Sequence, residues 1–198
     1  MKIKILLVGL FIVASTTSAF AAGPYVGTTI GVSVLHDSDV KNPGTPKITA
    51  SYDLGFGMNV SGGYNFDGAR IEGEFGYKST EIDKLSGPGQ GGYVQGADIS
   101  IMSYMVNGYY DVRTPSQVTP YIGVGLGLVN VKMDINGMKN DDTVFAYQLI
   151  TGLGIAIKKN IILDLSYRFQ GASGDANISG ADVQYMSSNF NVGIRYNF

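Results

Sequence analysis

Hydrophobic and polar residues alternate along most of the chain, and the alternation is clearest over its last nine residues. Phe190, Val192, Ile194, Tyr196 and Phe198 occupy every second position, with Asn, Gly or Arg between them. A period of two places these two sets on opposite faces of a β-strand. The C-terminal segment is therefore predicted to be a strand with one apolar and largely aromatic face.

Seven other segments alternate in the same way, so eight strands are predicted. Their approximate bounds are 25–35, 49–66, 69–79, 98–113, 119–132, 143–157, 161–170 and 190–198. Asp67-Gly68, between the second and third segments, is a strong signal for a tight hairpin. Three connections are tight, at 67–68, 114–118 and 158–160, and four are long and polar, at 36–48, 80–97, 133–142 and 172–184. This arrangement predicts an all-β fold, an eight-stranded antiparallel up-and-down barrel, and argues against a Greek-key sandwich.

Alternation alone does not distinguish a soluble, lipocalin-like barrel from a transmembrane one. Glycine lies on the less apolar face of the second, fifth and sixth segments, as crowding inside a narrow barrel requires. Tyrosine recurs near the ends of the segments, where an interfacial aromatic girdle would lie. We therefore expect a transmembrane β-barrel whose apolar faces contact lipid. The tyrosines assigned to the girdle are Tyr25, Tyr52, Tyr64, Tyr77, Tyr104, Tyr110, Tyr121, Tyr147, Tyr167, Tyr185 and Tyr196.

The N-terminus has the pattern of an export signal. Lys2 and Lys4 precede a short apolar run, and Ala19-Phe20-Ala21 fits the small-x-small cleavage pattern. Residues 1–21 are therefore predicted to be a cleavable signal peptide, with an uncleaved anchor as the alternative. Residues 22–198 are predicted to form one outer-membrane β-barrel domain.

Composition narrows the class of protein further. After removal of Lys2 and Lys4 with the signal, the chain has 12 basic and 16 acidic residues and a net charge of −4. A net negative charge argues against a nucleic-acid partner. The absence of cysteine excludes disulfides and thiolate metal sites. No second run of about 20 apolar residues follows the signal, so a helical membrane protein is excluded.

In a barrel with lipid on its apolar side, the charged residues of the other faces point into the lumen. Buried charges need partners. We hypothesise a lumen network that pairs Glu72 and Glu74 with Arg168 and Arg195 and closes the lumen to bulk water. The alternative is that the charges are solvated separately by lumen water. The inward set is Arg70, Glu72, Glu74, Lys78, Asp111, Arg113, Asp164, Arg168 and Arg195.

Three segments have the residue types of chemical sites but lack the context that such sites need. Residues 87–92 fit G-x-G-x-x-G, yet they lie between strands and precede no helix, so a loop is expected. His36-Asp37-Ser38-Asp39 contains the residue types of a hydrolase, but a triad requires spatial geometry. Residues 134–142 are rich in oxygen ligands without EF-hand spacing, so a solvated acidic loop is expected, with divalent ions that bridge lipopolysaccharide phosphates as the alternative. We therefore expect no catalytic residues, no cofactor and no metal site.

Three motifs carry a resemblance to a known family. Residues 62–67 (GGYNFD), 119–127 (TPYIGVGLG) and 193–198 (GIRYNF) resemble the opacity/OmpA-like family of small outer-membrane β-barrel proteins. The resemblance implies a barrel in the outer membrane of a Gram-negative bacterium with long extracellular loops. It also implies a C-terminal strand, Phe190 to Phe198, that contacts lipid and serves as the signal to the barrel-assembly machinery.

The same resemblance implies a structural or surface-interaction role, like that of an adhesin or surface antigen, and supplies no catalytic residues. The implied partners are outer-membrane lipid, lipopolysaccharide and a host or surface ligand bound through the loops. A narrow porin-like diffusion channel is the alternative function, and a lipid-A-modifying hydrolase a more distant one. Because the sequence stops at the eighth strand, we expect no peptidoglycan-binding domain.

Overall fold

The computed structural model describes most of the chain beyond the predicted signal peptide, which lies outside the described residues. The described ranges are 22–36, 38–41, 48–52, 54–87, 90–93, 97–135, 138–174, 176–178, 181–183 and 185–198. Among them, no helix is long and apolar enough to cross a bilayer.

Eight long strands in the described residues form one closed sheet. Each strand pairs antiparallel with the next along the chain, and the last strand pairs antiparallel with the first. The predicted eight-stranded antiparallel barrel is thus confirmed. The strands are β1 (Gly23–Leu35), β2 (Leu54–Asn65), β3 (Ala69–Gly87), β4 (Ala97–Asp111), β5 (Val118–Ile135), β6 (Met138–Lys158), β7 (Ile161–Ala172) and β8 (Met186–Asn197).

The barrel has two different ends. Tyr25 lies opposite Asn197, so the start of β1, the end of β8 and the three tight turns share one end, here called the turn end. The opposite end, the loop end, carries short strands that extend the wall beyond the barrel. They pair with each other or with the far part of β3. These strands are Ser38–Lys41, Ile48–Tyr52, Gln90–Tyr93, Ala176–Ile178 and Ala181–Val183.

The wall reaches further at the loop end than the sequence pattern predicted. β3 continues to Gly87, and β5 and β6 are separated only by residues 136–137, so parts of the expected loops 80–97 and 133–142 are strand. Conversely, the predicted segment 49–66 is divided between Ile48–Tyr52 and β2. Backbone pairing continues past the apolar belt, for example between Ile135 and Met138.

The turn at Asp67-Gly68 shows why its residues are suited to a two-residue hairpin. Both have positive φ, 65° at Asp67 and 114° at Gly68, as type I′ turns require. The Asn65 side-chain oxygen accepts hydrogen bonds from the backbone N–H of Asp67 at 3.0 Å and of Gly68 at 3.3 Å. The predicted hairpin is confirmed.

The two faces of the wall have opposite character. Apolar side chains of every barrel strand are exposed on the outside, for example Val124 at 62% and Leu126 at 58%. Phe190, Val192, Ile194 and Tyr196 belong to this outer face. Inward positions of β2, β5 and β6 are rich in glycine. A continuous apolar outer wall around a polar interior is the arrangement of transmembrane barrels.

The prediction of a tyrosine girdle is correct for only some of the tyrosines assigned to it. Tyr64, Tyr104, Tyr110 and Tyr196 are exposed on the outer wall. In contrast, Tyr25, Tyr121 and Tyr185 are buried inside the barrel, with 2%, 4% and 4% of their surface exposed. Tyrosine can occupy either place because it has a large ring and a polar hydroxyl that needs a partner when buried. The structure describes the backbone of Tyr52 but not its side chain.

Candidate functional site

The interior of the barrel holds a neutral set of buried charges. Among the described residues, four cations and four carboxylates are each less than 9% exposed. Ions in such surroundings persist only when they are paired and hydrogen-bonded. The cations are Arg70, Lys78, Arg168 and Arg195, and the carboxylates are Glu72, Glu74, Asp111 and Asp164.

Near the turn end, Arg70 forms the best-defined ion pair of the lumen. Its Nε donates to both oxygens of Asp111 at 3.0 and 2.9 Å, and its Nη2 donates to Asp111 Oδ1 at 2.9 Å. The guanidinium also lies over the rings of Tyr109 and Tyr121, 4.3 and 4.8 Å from their centroids. This geometry uses the planar fork of arginine for a carboxylate and its flat face for aromatic rings.

Glu72 is satisfied by neutral donors. Tyr25 Oη donates to its Oε2 at 2.9 Å, and Tyr109 Oη donates to its Oε1 at 2.8 Å. Asn107 Nδ2 adds a longer bond to Oε1 at 3.3 Å. The hypothesis that Glu72 pairs with an arginine is therefore wrong, because the buried hydroxyls of Tyr25 and Tyr109 donate to its carboxylate.

Glu74 and Arg168 make a direct ion pair across the lumen, from β3 to β7. Gln148 Nε2 donates to Glu74 Oε1 at 3.3 Å and to Asn107 Oδ1 at 2.6 Å. Asn107 in turn donates to Glu72, so side chains of β3, β4, β6 and β7 are connected in one network. This pair agrees with the hypothesised partner of Glu74.

Two other charges do not follow the hypothesis. Arg195 Nε lies 3.2 Å from Asp164 Oδ2, its diagonal neighbour on the adjacent strand, and not against a glutamate. Arg113, expected inside, lies beyond the end of β4 and pairs with Asp67 at the surface, where both side chains are more than 60% exposed. Strand alternation no longer determines direction once the strand has ended at Asp111.

Lys78 forms a further polar layer closer to the loop end. Its Nζ donates to Gln170 Oε1 at 2.7 Å, Tyr185 Oη at 3.1 Å and Ser187 Oγ at 3.2 Å. Tyr185 Oη also donates to Gln170 Oε1 at 2.7 Å. The three donors of the ammonium are thus used, and each bonds to a neutral acceptor.

Beside this layer and towards the loop end, the lumen is apolar, which the sequence analysis missed. Ile101 lies opposite Lys78 in the strand register, and Tyr185 belongs to both groups. Buried side chains from β1, β4, β5, β6 and the residue before β8 form one cluster, with Val144 and Ala172 packed against it. We call it the apolar cluster. A sequence signal exists in β4, where Ile99, Ile101, Met102 and Tyr104 make both faces apolar, as expected for a strand buried on both sides. The cluster comprises Leu35, Ile99, Ile101, Met105, Val129, Val131, Ala146 and Tyr185.

The residues considered for chemistry do not form a catalytic or metal centre in the described part of the chain. His36 lies on the outer wall, where its Nε2 is 2.9 Å from Ser188 Oγ, and Tyr167 Oη is 3.0 Å from the same oxygen. Asp37 lies outside the described residues, so the described contacts give a His–Ser pair and no triad. No group of three or more His, Asp or Glu side chains suited to a metal is found among the described residues. Residues 136–137 of the acidic segment and 88–89 of the glycine-rich segment are not described.

Comparison with known proteins agrees with this architecture. The chain is 33% identical over 121 residues to the outer membrane protein PagN of Salmonella typhimurium, a match that covers 50% of this chain and 51% of PagN. It is 29% identical over 106 residues to an uncharacterised protein of Brucella abortus, covering 46% of this chain and 37% of that protein. The chain therefore spans about half or less of the curated relatives it matches.

Solved structures show the same fold. The Neisserial surface protein NspA aligns with a TM-score of 0.64 and 23% identity, covering 90% of this chain and 99% of NspA. OprG of Pseudomonas aeruginosa aligns with a TM-score of 0.68 and 16% identity, covering 89% of this chain and 97% of OprG. The family model for the outer membrane protein β-barrel domain matches residues 4–198 of the sequence. The chain therefore belongs to this family of outer-membrane β-barrel proteins.

Proposed function

We propose that the protein is a small surface-interaction protein of the outer membrane, in the manner of an adhesin or surface antigen, which contacts its ligand with the loop end of the barrel. The observation that carries this proposal is the extension of the wall beyond the apolar belt at one end only. β3, β5 and β6 are 19, 18 and 21 residues long, about twice the 9–11 residues that a tilted strand needs to span the bilayer. Long loops of outer-membrane barrels face the outside.

The lumen supports this proposal by its contacts. An ion pair and a hydrogen bond join opposite walls at the levels of Glu74 and Lys78. Arg70 pairs with Asp111 on the neighbouring strand, and the apolar cluster lies towards the loop end. An eight-stranded barrel has an interior just wide enough for its own side chains. These contacts argue against the alternative of a porin-like diffusion channel.

A lipid-A-modifying hydrolase remains the distant alternative, and the His36–Ser188 contact on the outer wall is the observation that bears on it. A serine nucleophile needs a base that is itself oriented by a third group. His36 has Ser188 as its hydrogen-bonding side chain among the described contacts. The pair fits a polar contact in the aromatic rim of the membrane belt, beside Phe169 at 6.1 Å between ring centroids.

Three further proposals accompany the surface role. Residues 1–21 direct export and are removed. The barrel-assembly machinery recognises the C-terminal strand that ends at Phe198. Outer-membrane lipid and lipopolysaccharide cover the apolar outer wall.

The surface role is tested with loop-shortened proteins displayed on whole cells. Segments 36–48, 80–97 and 172–184 are replaced one at a time by an Asn-Gly turn, and adhesion to host cells or coated surfaces is counted. Heat-modifiable migration on a detergent gel shows whether each protein is inserted and closed. We expect at least one shortened protein to insert normally while adhesion falls to that of cells without the protein.

The matched control changes the other end of the barrel, by replacing Pro115 and Ser116 in a tight turn with Gly and Asn. This control should leave adhesion unchanged. Full adhesion by every correctly inserted loop variant would refute the proposed role.

A further inference from the structure

The buried polar atoms of the lumen that lack a protein hydrogen-bond partner all lie on one wall. Within the described residues, six such side-chain atoms are found, and all belong to the adjacent strands β7, β8 and β1. On β3, β4 and β6, in contrast, Glu72, Glu74, Asn107 and Gln148 are bonded to one another or to tyrosines. The six atoms are Ser33 Oγ, Ser166 Oγ, Arg168 Nε, Asn189 Oδ1, Asn191 Nδ2 and Arg195 Nε, the last of which makes no hydrogen bond but keeps its ion-pair contact with Asp164 at 3.2 Å.

Strand register places these atoms at successive levels along β8. Asn189 lies opposite both Ser33 on β1 and Arg168 on β7. Asn191, the next inward residue, lies opposite Ser166, and Arg195 follows two inward positions nearer the turn end. The atoms therefore form a column along the wall and not a single cluster.

The chemistry of the column fits water. Arg168 Nε and Asn191 Nδ2 donate, Asn189 Oδ1 accepts, and the two serine hydroxyls do both. An anion would satisfy the donors but leave the Asn189 oxygen unbonded, whereas water satisfies both kinds of atom. At one level of the column, a cavity of about 10 Å³ is lined by Arg168, Asn189 and Asn191 and reaches Glu74 and Gln148. This is about the room that one buried water with two to four polar partners needs, so it accommodates one member of the column.

The apolar cluster ends this column at the loop end. With Ala172, its side chains come from five barrel strands, β1, β4, β5, β6 and β7, and from Tyr185 just before β8. Around the wall, only β2 and β3 contribute no side chain to this group. Apolar interiors stay dry, and dewetted apolar constrictions stop ions.

We infer that the lumen binds a file of ordered water along β7, β8 and β1, and that the apolar cluster, rather than the Glu74–Arg168 ion pair, is the barrier to passage through the barrel. This inference goes beyond the proposed surface role, although both include a closed lumen: adhesion tests the surface role, whereas water transfer and conductance test the inference. Water is thus the ligand of the polar column along β7, β8 and β1, and the apolar cluster is the part of the interior that excludes water.

Solid-state NMR of the full-length mature protein in phospholipid vesicles tests the water file without any substitution. Water-edited spectra measure how fast magnetisation passes from water to each side chain. We expect fast transfer to the amides of Asn189 and Asn191 and slow transfer to the methyl groups of Ile101 and Val129. Equal rates at the two groups, or slow transfer to the amides, would overturn the inference.

Planar-bilayer recording tests the seal. Ile101 and Val131 lie directly opposite each other, so I101N combined with V131N makes the cluster polar at one level. We expect stable conductance steps from this variant, and none from the wild type or from R168Q, which breaks the ion pair and leaves the cluster intact. Conductance from the wild type or from R168Q would overturn the assignment of the barrier, as would silence from a double variant that shows heat-modifiable migration. If the double variant does not insert, V129S takes its place with the same expected outcomes.

Discussion

Removing Arg168 while keeping Glu74 should strongly destabilise the barrel. Arg168 is 8% exposed and Glu74 6% exposed, and the remaining described partner of the carboxylate is Gln148 Nε2 at 3.3 Å. Breaking a buried ion pair by removing one partner typically costs 3–5 kcal/mol, since the other charge is left uncompensated. Because water beside Arg168 would solvate part of that charge, we expect a loss of about 3 kcal/mol for R168M.

The comparison variants separate the ion pair from packing. The double variant E74Q/R168M removes both charges and should recover most of the loss, because replacing a buried pair by groups of similar volume is often near neutral. R113A breaks the exposed pair with Asp67, whose side chains are 63% and 62% exposed. Exposed pairs contribute less than about 1 kcal/mol, so R113A should change stability little.

The assay is reversible urea unfolding in lipid vesicles, followed by heat-modifiable migration and by tyrosine fluorescence, since the chain has no tryptophan. The free energy of unfolding is compared among the four proteins at one lipid composition. The reasoning fails if R168M is no less stable than R113A, or if E74Q/R168M is as unstable as R168M alone.

Three further substitutions test the wall and its turns in the same unfolding assay. G125A should lower the free energy of unfolding by about 2 kcal/mol, because its methyl group would lie 2.8 Å from Gln148 Cγ in the filled lumen. The control G108A places a methyl group where nothing lies within 4 Å, so its effect should be close to zero. Equal effects of the two substitutions would contradict the crowded interior. G68V should cost about 1–3 kcal/mol, because a β-branched residue is strained at φ 114°, and an unchanged urea midpoint would contradict the turn. L126K places a charge on the outer wall at a position that is 58% exposed and should cost about 2–4 kcal/mol near the bilayer midplane, so unchanged insertion into vesicles would contradict a lipid-facing wall.

The sequence predicts the wall of the barrel well because a period of two is a local property. The alternation from Phe190 to Tyr196 indicates which side chains face outward, and Asp67-Gly68 indicates a hairpin from two residues alone. Neither inference needs knowledge of the rest of the chain. The closure of β8 on β1 then follows from the number of strands and the alternation of short and long connections.

The contents of the lumen are harder to predict because they depend on the shear of the sheet. Shear determines which inward side chains reach the same level, and alternation carries no information about it. Arg195 therefore meets Asp164, diagonally on the next strand, and Glu72 meets the hydroxyls of Tyr25 and Tyr109. Both tyrosine patterns, interfacial and buried, look alike in the sequence.

The pairing of β1 with β8 joins the first strand of the wall to the last, so the wall closes only when both strands are in place. Eleven residue pairs, from Tyr25 with Asn197 to Leu35 with Ser187, join the first-made strand to the last. Until the final dozen residues have been synthesised and delivered, the unpaired edges of β1 and β7 are open to other chains, and such edges template aggregation. A barrel sheet without β8 would have two unpaired edges, on β1 and β7, whereas the complete barrel has no free edge along its eight strands.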